Sequence, residues 1–274
     1  HCNPSGVAVQ TGEQPLRAVY ERARDADAQA AFGGVAVFNR EGDQATAEAI
    51  METVIEGVAA PGFSLEAVAV LHDAERFKRN KEIRVVKLPA FSSLPKYQDD
   101  ATGALEIKMF DDGSLLLAQP YLSRVKSADD LVPAYSEHPK KGRIDSARMP
   151  NAQELDDLLF AWYVNIHVRS NGVVIVKNGQ TLAVGTGEQD RVGAVQQAIW
   201  KAQQKYQGTE TLQGAVMASD GFFPFRDAVD AATGAGIRAI VQPGGSVNDY
   251  DAIEACNEAG AAMVFSLERC FSHH

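Results

Sequence analysis

GAVMASDGFFPFRDAVDAATGAGIRAIVQ, residues 214–242, decides the fold. The apolar run GAVMAS (214–219) gives way to a Gly-Phe-Phe-Pro-Phe loop, then a helical stretch after Pro224, then a second apolar run, IRAIVQ (237–242). Short apolar runs bounded by turn residues read as buried strands, and a helix between two of them reads as one unit of a layered α/β sheet. The alternation continues on both sides. VVIVK (173–177), TLAVG (181–185) and a helix over 191–206 precede it; a helix over 249–259 and AMVFS (262–266) follow. Asn151 begins a further helix with Leu155, Leu158, Leu159 and Trp162 on one face.

The first 90 residues repeat the style. GVAVQ (6–10) is a β-like run after a Pro-Ser-Gly turn, and Leu16, Val19, Tyr20 and Ala23 predict a helix over 15–31. FGGVAVF (32–38) predicts a buried strand, 44–58 a helix stopped by APG (60–62), and IRVVKL (83–88) another strand. Between 104 and 119, ALEIKMF and SLLLAQ flank Asp111, Asp112 and Gly113, a hairpin signal. Residues 120–150 hold Pro120, Pro133 and Pro139 among charges and read as a connection over the surface. The expected organisation is α/β in two lobes: 1–150, N-terminally incomplete and including the connection, and 151–274. The chain starts at His1, inside what reads as a motif, so a truncated N-terminus is expected.

The length of 274 residues suits one large domain or two small lobes. Lys+Arg is 26 against Asp+Glu 36, a net charge of −10. That argues against a nucleic-acid partner, which would need a basic face. A few arginines can still form a local positive pocket. Three cysteines without a CxxC argue against a disulfide framework or zinc knuckle and for a reducing, cytoplasmic setting. No apolar run of about 18 residues is present, so no membrane partner is expected.

Several stretches could carry chemistry, each with a plain alternative. SDGFFPFRDAVDAA (219–232) reads as a ligand loop at a strand's carboxyl end, or as a hydrophobic staple with a helix start. IVQPGGSVND (240–249) reads as an anion cradle, or as a tight turn with Ser246 or Asn248 capping a helix. It is neither a Walker nor a dinucleotide fingerprint. In GTGEQDRVG (185–193), Arg191 opens a helix and suits a phosphate, or is simply solvated. HCNPSG (1–6) offers an imidazole for proton transfer, and LERCFSHH (267–274) brings Arg269, His273 and His274.

Together and in this order these motifs resemble the AICAR transformylase domain of the bifunctional purine biosynthesis enzymes, usually fused to IMP cyclohydrolase, a hydrolase. HCNPSG is similar to the family's Lys-His-x-Asn-Pro-Cys-Gly stretch, and AFGGVAVFN (31–39) to its Ala-Phe-Gly-Gly segment. VRSNGVVIVKNGQTLAVGTGEQDRV (168–192), SDGFFPFRD, QPGGS and the closing Arg-x-Phe-x-His complete the likeness. The resemblance implies two lobes of cytidine-deaminase-like, three-layer architecture with mixed sheets. It implies formyl transfer from 10-formyltetrahydrofolate to the 5-amine of AICAR, with no metal needed, in a homodimer whose active site lies at the interface. By position, His1 matches the catalytic histidine and Asn171 the asparagine at the carboxamide. Gly33, Glu56, Arg191, Arg269 and His273 match substrate-side positions; Val192, Phe222, Asp227, Ser246 and Val247 match folate-side positions.

There are departures. The family's catalytic lysine would stand just before His1; an Arg-Tyr-Gly segment and the cyclohydrolase domain would lie farther upstream. Ser5 replaces a cysteine, Glu56 stands where relatives can have aspartate, and Ile166 where many have lysine. Glu188 and Asp190 replace Gln and Ser beside Arg191, adding negative charge at a proposed phosphate site. They motivate a second reading, a non-catalytic nucleotide- or folate-binding module. A third, a zinc deaminase, rests on fold analogy and lacks HxE and PCxxC.

Overall fold

The computed structural model describes residues 3–89, 91, 94–100, 103 and 105–272. In chain order the elements are α1 (Leu16–Arg24), α2 (Ala28–Ala31), β1 (Gly34–Val37), α3 (Gln44–Met51), β2 (Ile55–Ala60), α4 (Leu65–Leu71), β3 (Arg84–Lys87), β4 (Glu106–Met109), β5 (Leu115–Ala118), β6 (Val132–Pro133), β7 (Tyr135–His138), β8 (Gly142–Asp145), α5 (Ala152–Asn165), β9 (Val173–Lys177), β10 (Gln180–Gly185), α6 (Arg191–Gln204), β11 (Val216–Ser219), α7 (Asp227–Gly234), β12 (Ala239–Gln242), α8 (Asp249–Glu258) and β13 (Ala262–Phe265).

The larger sheet is mixed, in the order β10-β9-β11-β12-β13-β6. β11, β12 and β13 run parallel, joined by α7 and α8; β9 runs antiparallel to β11 and to β10. The strands are mostly apolar because both faces are covered. Ile175, Met217, Ile240 and Met263 pack against α6, α7 and α8; Val174, Val216, Val241 and Val264 pack against Leu158 and Trp162 of α5. The β9–β10 turn has Asn178 and Gly179 at φ 53° and 70°, the left-handed pair that a two-residue hairpin favours. Asp157 of α5 fixes this turn, its carboxylate accepting from both amides at 2.8 Å.

The smaller sheet, β1-β2-β3, is wholly parallel. Val58, Ala36 and Val85 face a core with Ile50 of α3, Val70 and Leu71 of α4 and Tyr20 of α1. Its other face is open: Val35 is 65% and Val37 62% exposed. β1 is therefore covered on one side only, not buried as the run FGGVAVF suggests.

Other expectations are corrected in the same region. The helix over 15–31 breaks at Asp25–Asp27, because the Asp27 carboxylate accepts from the Ala30 amide at 3.0 Å and starts α2. The helix over 44–58 stops at Met51, and 55–60 is strand β2. Asn80 fixes that change, donating to the Met51 and Thr53 carbonyls and accepting from the Ile55 amide. GVAVQ makes one bridge, Ala8 to Gln180, along β10 rather than a strand of its own. Residues 120–150 are more than a connection. Val132 and Pro133 pair antiparallel with Phe265 and Val264, where an edge position tolerates proline. β7 and β8 form a hairpin against α8, while Val125 and Leu131 enter the core beside Trp162. The hairpin read at 104–119 is present as β4–β5.

Candidate functional site

The ends of the larger sheet's strands converge. β9 and β11 are antiparallel with Val173 opposite Ser219, so Asn171, just before β9, lies beside the carboxyl end of β11. β10 ends at the same side and leads into α6 at Arg191. The tail after β13 returns there: Ser170 N–H donates to the Ser272 carbonyl at 3.0 Å, and Cys270 N–H to the Asp220 carbonyl at 3.2 Å. Together these segments enclose a cleft of about 330 Å³ lined by Asn171, Gln189–Arg191, Gly221, Phe222, Pro224, Arg269 and Phe271. Carboxyl ends of strands are where open α/β sheets bind ligands.

Asn171 follows a cis peptide bond from Ser170, and its amide donates to the Glu188 carbonyl at 2.8 Å. The side-chain oxygen is left without a partner among the described residues. Arg269 is exposed, with its guanidinium 5.0 Å from the centre of the Phe222 ring and 5.7 Å from that of Phe271. Cation–π contact holds the charge in place without cancelling it. Arg191 is different. It is buried, and its Nη1 pairs with the carboxylate of Asp220, which is wholly buried. So Arg191 is neither a solvated arginine nor a free cation.

Glu188 and Asp190 also have structural roles. Asp190 is the N-cap of α6, accepting from the Gly193 amide at 2.6 Å, and Glu188 accepts from Gln197 at 2.6 Å. Gly221 is required by close packing: a Cβ there would lie 2.6 Å from Arg191 Nη2 and 2.7 Å from the Phe271 ring.

The Pro-Gly-Gly-Ser turn holds an anion, but an internal one. The buried Asp249 carboxylate accepts from the Gly245 and Ser246 amides at 2.7 and 2.9 Å and from Gln242 at 3.3 Å. Neither Ser246 nor Asn248 caps α8 through its side chain; the Asn248 side chain instead donates to the Pro224 carbonyl at 2.7 Å, joining this turn to the cleft loop. Burial raises the Asp249 carboxyl above its usual range, opposed by these hydrogen bonds.

Asn171, Arg191, Phe222 and Arg269 thus share one cleft. Of the other expected site residues, the described ones do not line it. Asp227 is exposed at the start of α7, Val247 is 87% exposed, Ser246 is partly buried, and Val192, in the first turn of α6, packs against the core. Gly33 and Glu56 meet on the smaller sheet, 3.8 Å separating Glu56 Oε1 from a Cβ at Gly33; Glu56 also pairs with Arg84. His1 and His273 lie outside the described residues. Sequence reasoning passed over Asp220, Gly221 and Phe271. Phe271 had a signal, since i and i+2 of an extended segment share a side, which places it with Arg269. Asp220 had one too, a charge directly after an apolar strand.

Cys256 in α8 and Cys270 beside the cleft are both buried. Burial pushes the Cys256 thiol up to about 12 and raises that of Cys270 as well, with Asp220 and Glu268 adding to the effect at Cys270. Since the thiolate is the reactive form, neither should be alkylated by iodoacetamide at pH 8 in the native protein, and both should be once it is unfolded. Peptide mapping separates them from Cys2; native labelling of Cys256 would contradict its placement. The sign at high pH follows. The unfolded Cys256 thiol loses its proton near 9 and the folded one near 12, so stability should fall as pH rises across that interval.

Among the described residues no helix is long and apolar enough to cross a membrane, and no group of three or more His, Cys, Asp or Glu could hold a metal ion. Residues 1–201 match the family model described as AICARFT/IMPCHase bienzyme. The chain is similar over its whole length to proteins named bifunctional purine biosynthesis protein PurH. It is 39% identical over 277 residues to that of Magnetococcus marinus, covering 47% of that protein. It is 40% identical over 274 residues to those of Acetivibrio thermocellus and Synechocystis sp., covering 47% and 46% of them. The chain spans about half the length of the curated relatives it matches. The shared order of motifs, the matching family model and the end-to-end likeness to these relatives place the chain in the AICARFT/IMPCHase bienzyme family.

Proposed function

We propose that the cleft binds AICAR and that the chain belongs to the formyl-transfer half of a bifunctional purine-biosynthesis enzyme, acting in the cytoplasm. The observation that carries this is the meeting of Asn171, Arg191, Phe222 and Arg269, from distant segments, in one opening. Arg269 supplies an uncancelled cation for a phosphate, the Phe222 and Phe271 faces suit a flat heterocycle, and the Asn171 oxygen is free to accept from a carboxamide N–H.

The 5-amine of AICAR is a weak nucleophile, because its lone pair is delocalised. Its attack on a formyl carbon forms an N–C bond, breaks the bond to the carrier nitrogen and moves one proton from the amine to the departing nitrogen. A proton acceptor is needed near the amine, a role proposed for His1. Asn171 would fix the ring for attack, and the aromatic walls would keep out water that would hydrolyse the formyl group. 10-Formyltetrahydrofolate is the proposed donor. Phe222 from the cleft, Asp227 from the start of α7, and Ser246 and Val247 from the turn tied to Pro224 are proposed to meet it. The two-lobe division at residue 150 and a homodimer with the site at its interface belong to the same proposal; Gly33 and Glu56 standing outside this cleft supports their acting across a subunit boundary.

The test is formyl transfer by the complete gene product, with AICAR and either 10-formyltetrahydrofolate or formate. Turnover with folate is expected, and Asn171→Ala should lower it about a hundredfold, the scale of a misplaced reactant. AICAR binding without turnover on either donor would favour the non-catalytic module. Wild-type rates in the Asn171 variant would remove that residue from the site.

A further inference from the structure

We propose that Asp220 is the positioning residue of this cleft, cancelling the charge of Arg191 and aiming its guanidinium, so that Arg191 donates to a neutral oxygen of the ligand while Arg269 meets the ligand's anionic end. This rests on the reading that the cleft takes a phosphorylated heterocycle, and deepens it by dividing the two arginines that sequence placed together on the substrate side.

Three observations carry the division. First, Arg191 stands at the first position of α6, where the helix's own partial charge is positive and a cation is poorly placed. It is buried there, and a buried cation needs a partner. Asp220 is that partner, and its second carboxylate oxygen has no hydrogen-bond partner among the described residues. A buried ion pair is a weak source of stability compared with apolar residues of the same volume. What it fixes well is direction.

Second, that direction is visible. Nη1 is engaged by Asp220, whereas Nη2 lies 2.6 Å from where a Gly221 side chain would begin. Gly221 and Arg191 both line the cleft, so the missing side chain lets Nη2 pack against the Gly221 backbone at the cleft wall. A guanidinium whose charge is already balanced gains little by meeting a second anion, but its remaining N–H groups are rigid, directed donors. Third, Arg269 has the opposite setting. It is exposed, held by two aromatic faces, and has no carboxylate partner among the described residues. Asp190 also lines the cleft, with its carboxylate turned to the Gly193 amide.

The experiment is calorimetric titration of the complete gene product with ribose 5-phosphate and, separately, with AICAR, which adds the ring and carboxamide. Arg269→Gln should weaken both by about 10–100-fold, the scale of a lost charge-assisted hydrogen bond. Asp220→Asn should do something no loss of structure does. It uncovers the Arg191 charge, so ribose 5-phosphate should bind several-fold tighter with steeper salt dependence, while the advantage of AICAR over ribose 5-phosphate falls about tenfold. If that variant does not fold, the charge-free pair R191Q/D220N serves. It should hold ribose 5-phosphate within about threefold of the parent chain and lose the same AICAR advantage. Parallel weakening of both ligands, or loss of ribose 5-phosphate in the double variant as large as in Arg269→Gln, overturns the proposal. If the parent chain binds ribose 5-phosphate but AICAR no better, the heterocycle reading fails while the sugar-phosphate arm still decides the division of charge. If the parent binds neither, both fall.

Discussion

Replacing Asp220 by alanine is expected to cost about 3–5 kcal/mol of folding stability, a large part of the roughly 5–15 kcal/mol that holds a typical domain together. The reason is asymmetry. Asp220 is wholly buried and Arg191 nearly so, so removing one partner leaves the other charged and away from water. Removing both charges together, as in R191M/D220L, should restore most of the loss, since apolar residues of similar volume replace such pairs at little cost. Urea unfolding followed by circular dichroism tests this. An alanine variant within about 1 kcal/mol of the parent would show that water or a rearranged loop rescues Arg191.

Trp162→Ala carries the other large effect, again about 3–5 kcal/mol. The indole is wholly buried between α5 and the larger sheet, among Leu158, Val174, Val216 and Val264. Its N–H donates to Ser123 Oγ at 3.1 Å, and Ser123 in turn donates to the Glu268 carboxylate. One side chain therefore fills the core and ties the 120–150 segment to the tail that carries Arg269. Trp162→Phe should keep most of the packing and lose about 1 kcal/mol for the hydrogen bond. If the two variants are equally unstable under urea, the hydrogen bond matters more than the volume.

The larger sheet was legible because its strands are covered on both faces and so appear as unbroken apolar runs between turn residues. The smaller sheet was less so. Alanine-rich 44–60 fits helix and buried strand equally, and the break between them is made by Asn80, distant in sequence, through its bonds to the Met51, Thr53 and Ile55 backbone. β6 was hidden because its two residues include a proline, which only an edge position excuses. Motif order named Asn171, Arg191, Phe222 and Arg269, four residues that line one cleft. It did not show that Arg191 is matched by a carboxylate 29 positions away, because neither residue's neighbours in sequence announce the pairing. The QPGGS turn was read as a cradle or as a capped start; the structure contains a cradle whose tenant, Asp249, is the chain itself.

That tenancy restricts what the second loop can accept. An incoming phosphate would find the Gly245 and Ser246 donors engaged and a buried carboxylate behind them, so it would be repelled where the bare motif promises a welcome. Guests with neutral or donor-rich edges meet no such barrier. Under the proposed function Asp249 would thus turn strongly anionic groups away from this turn and toward the neighbouring opening.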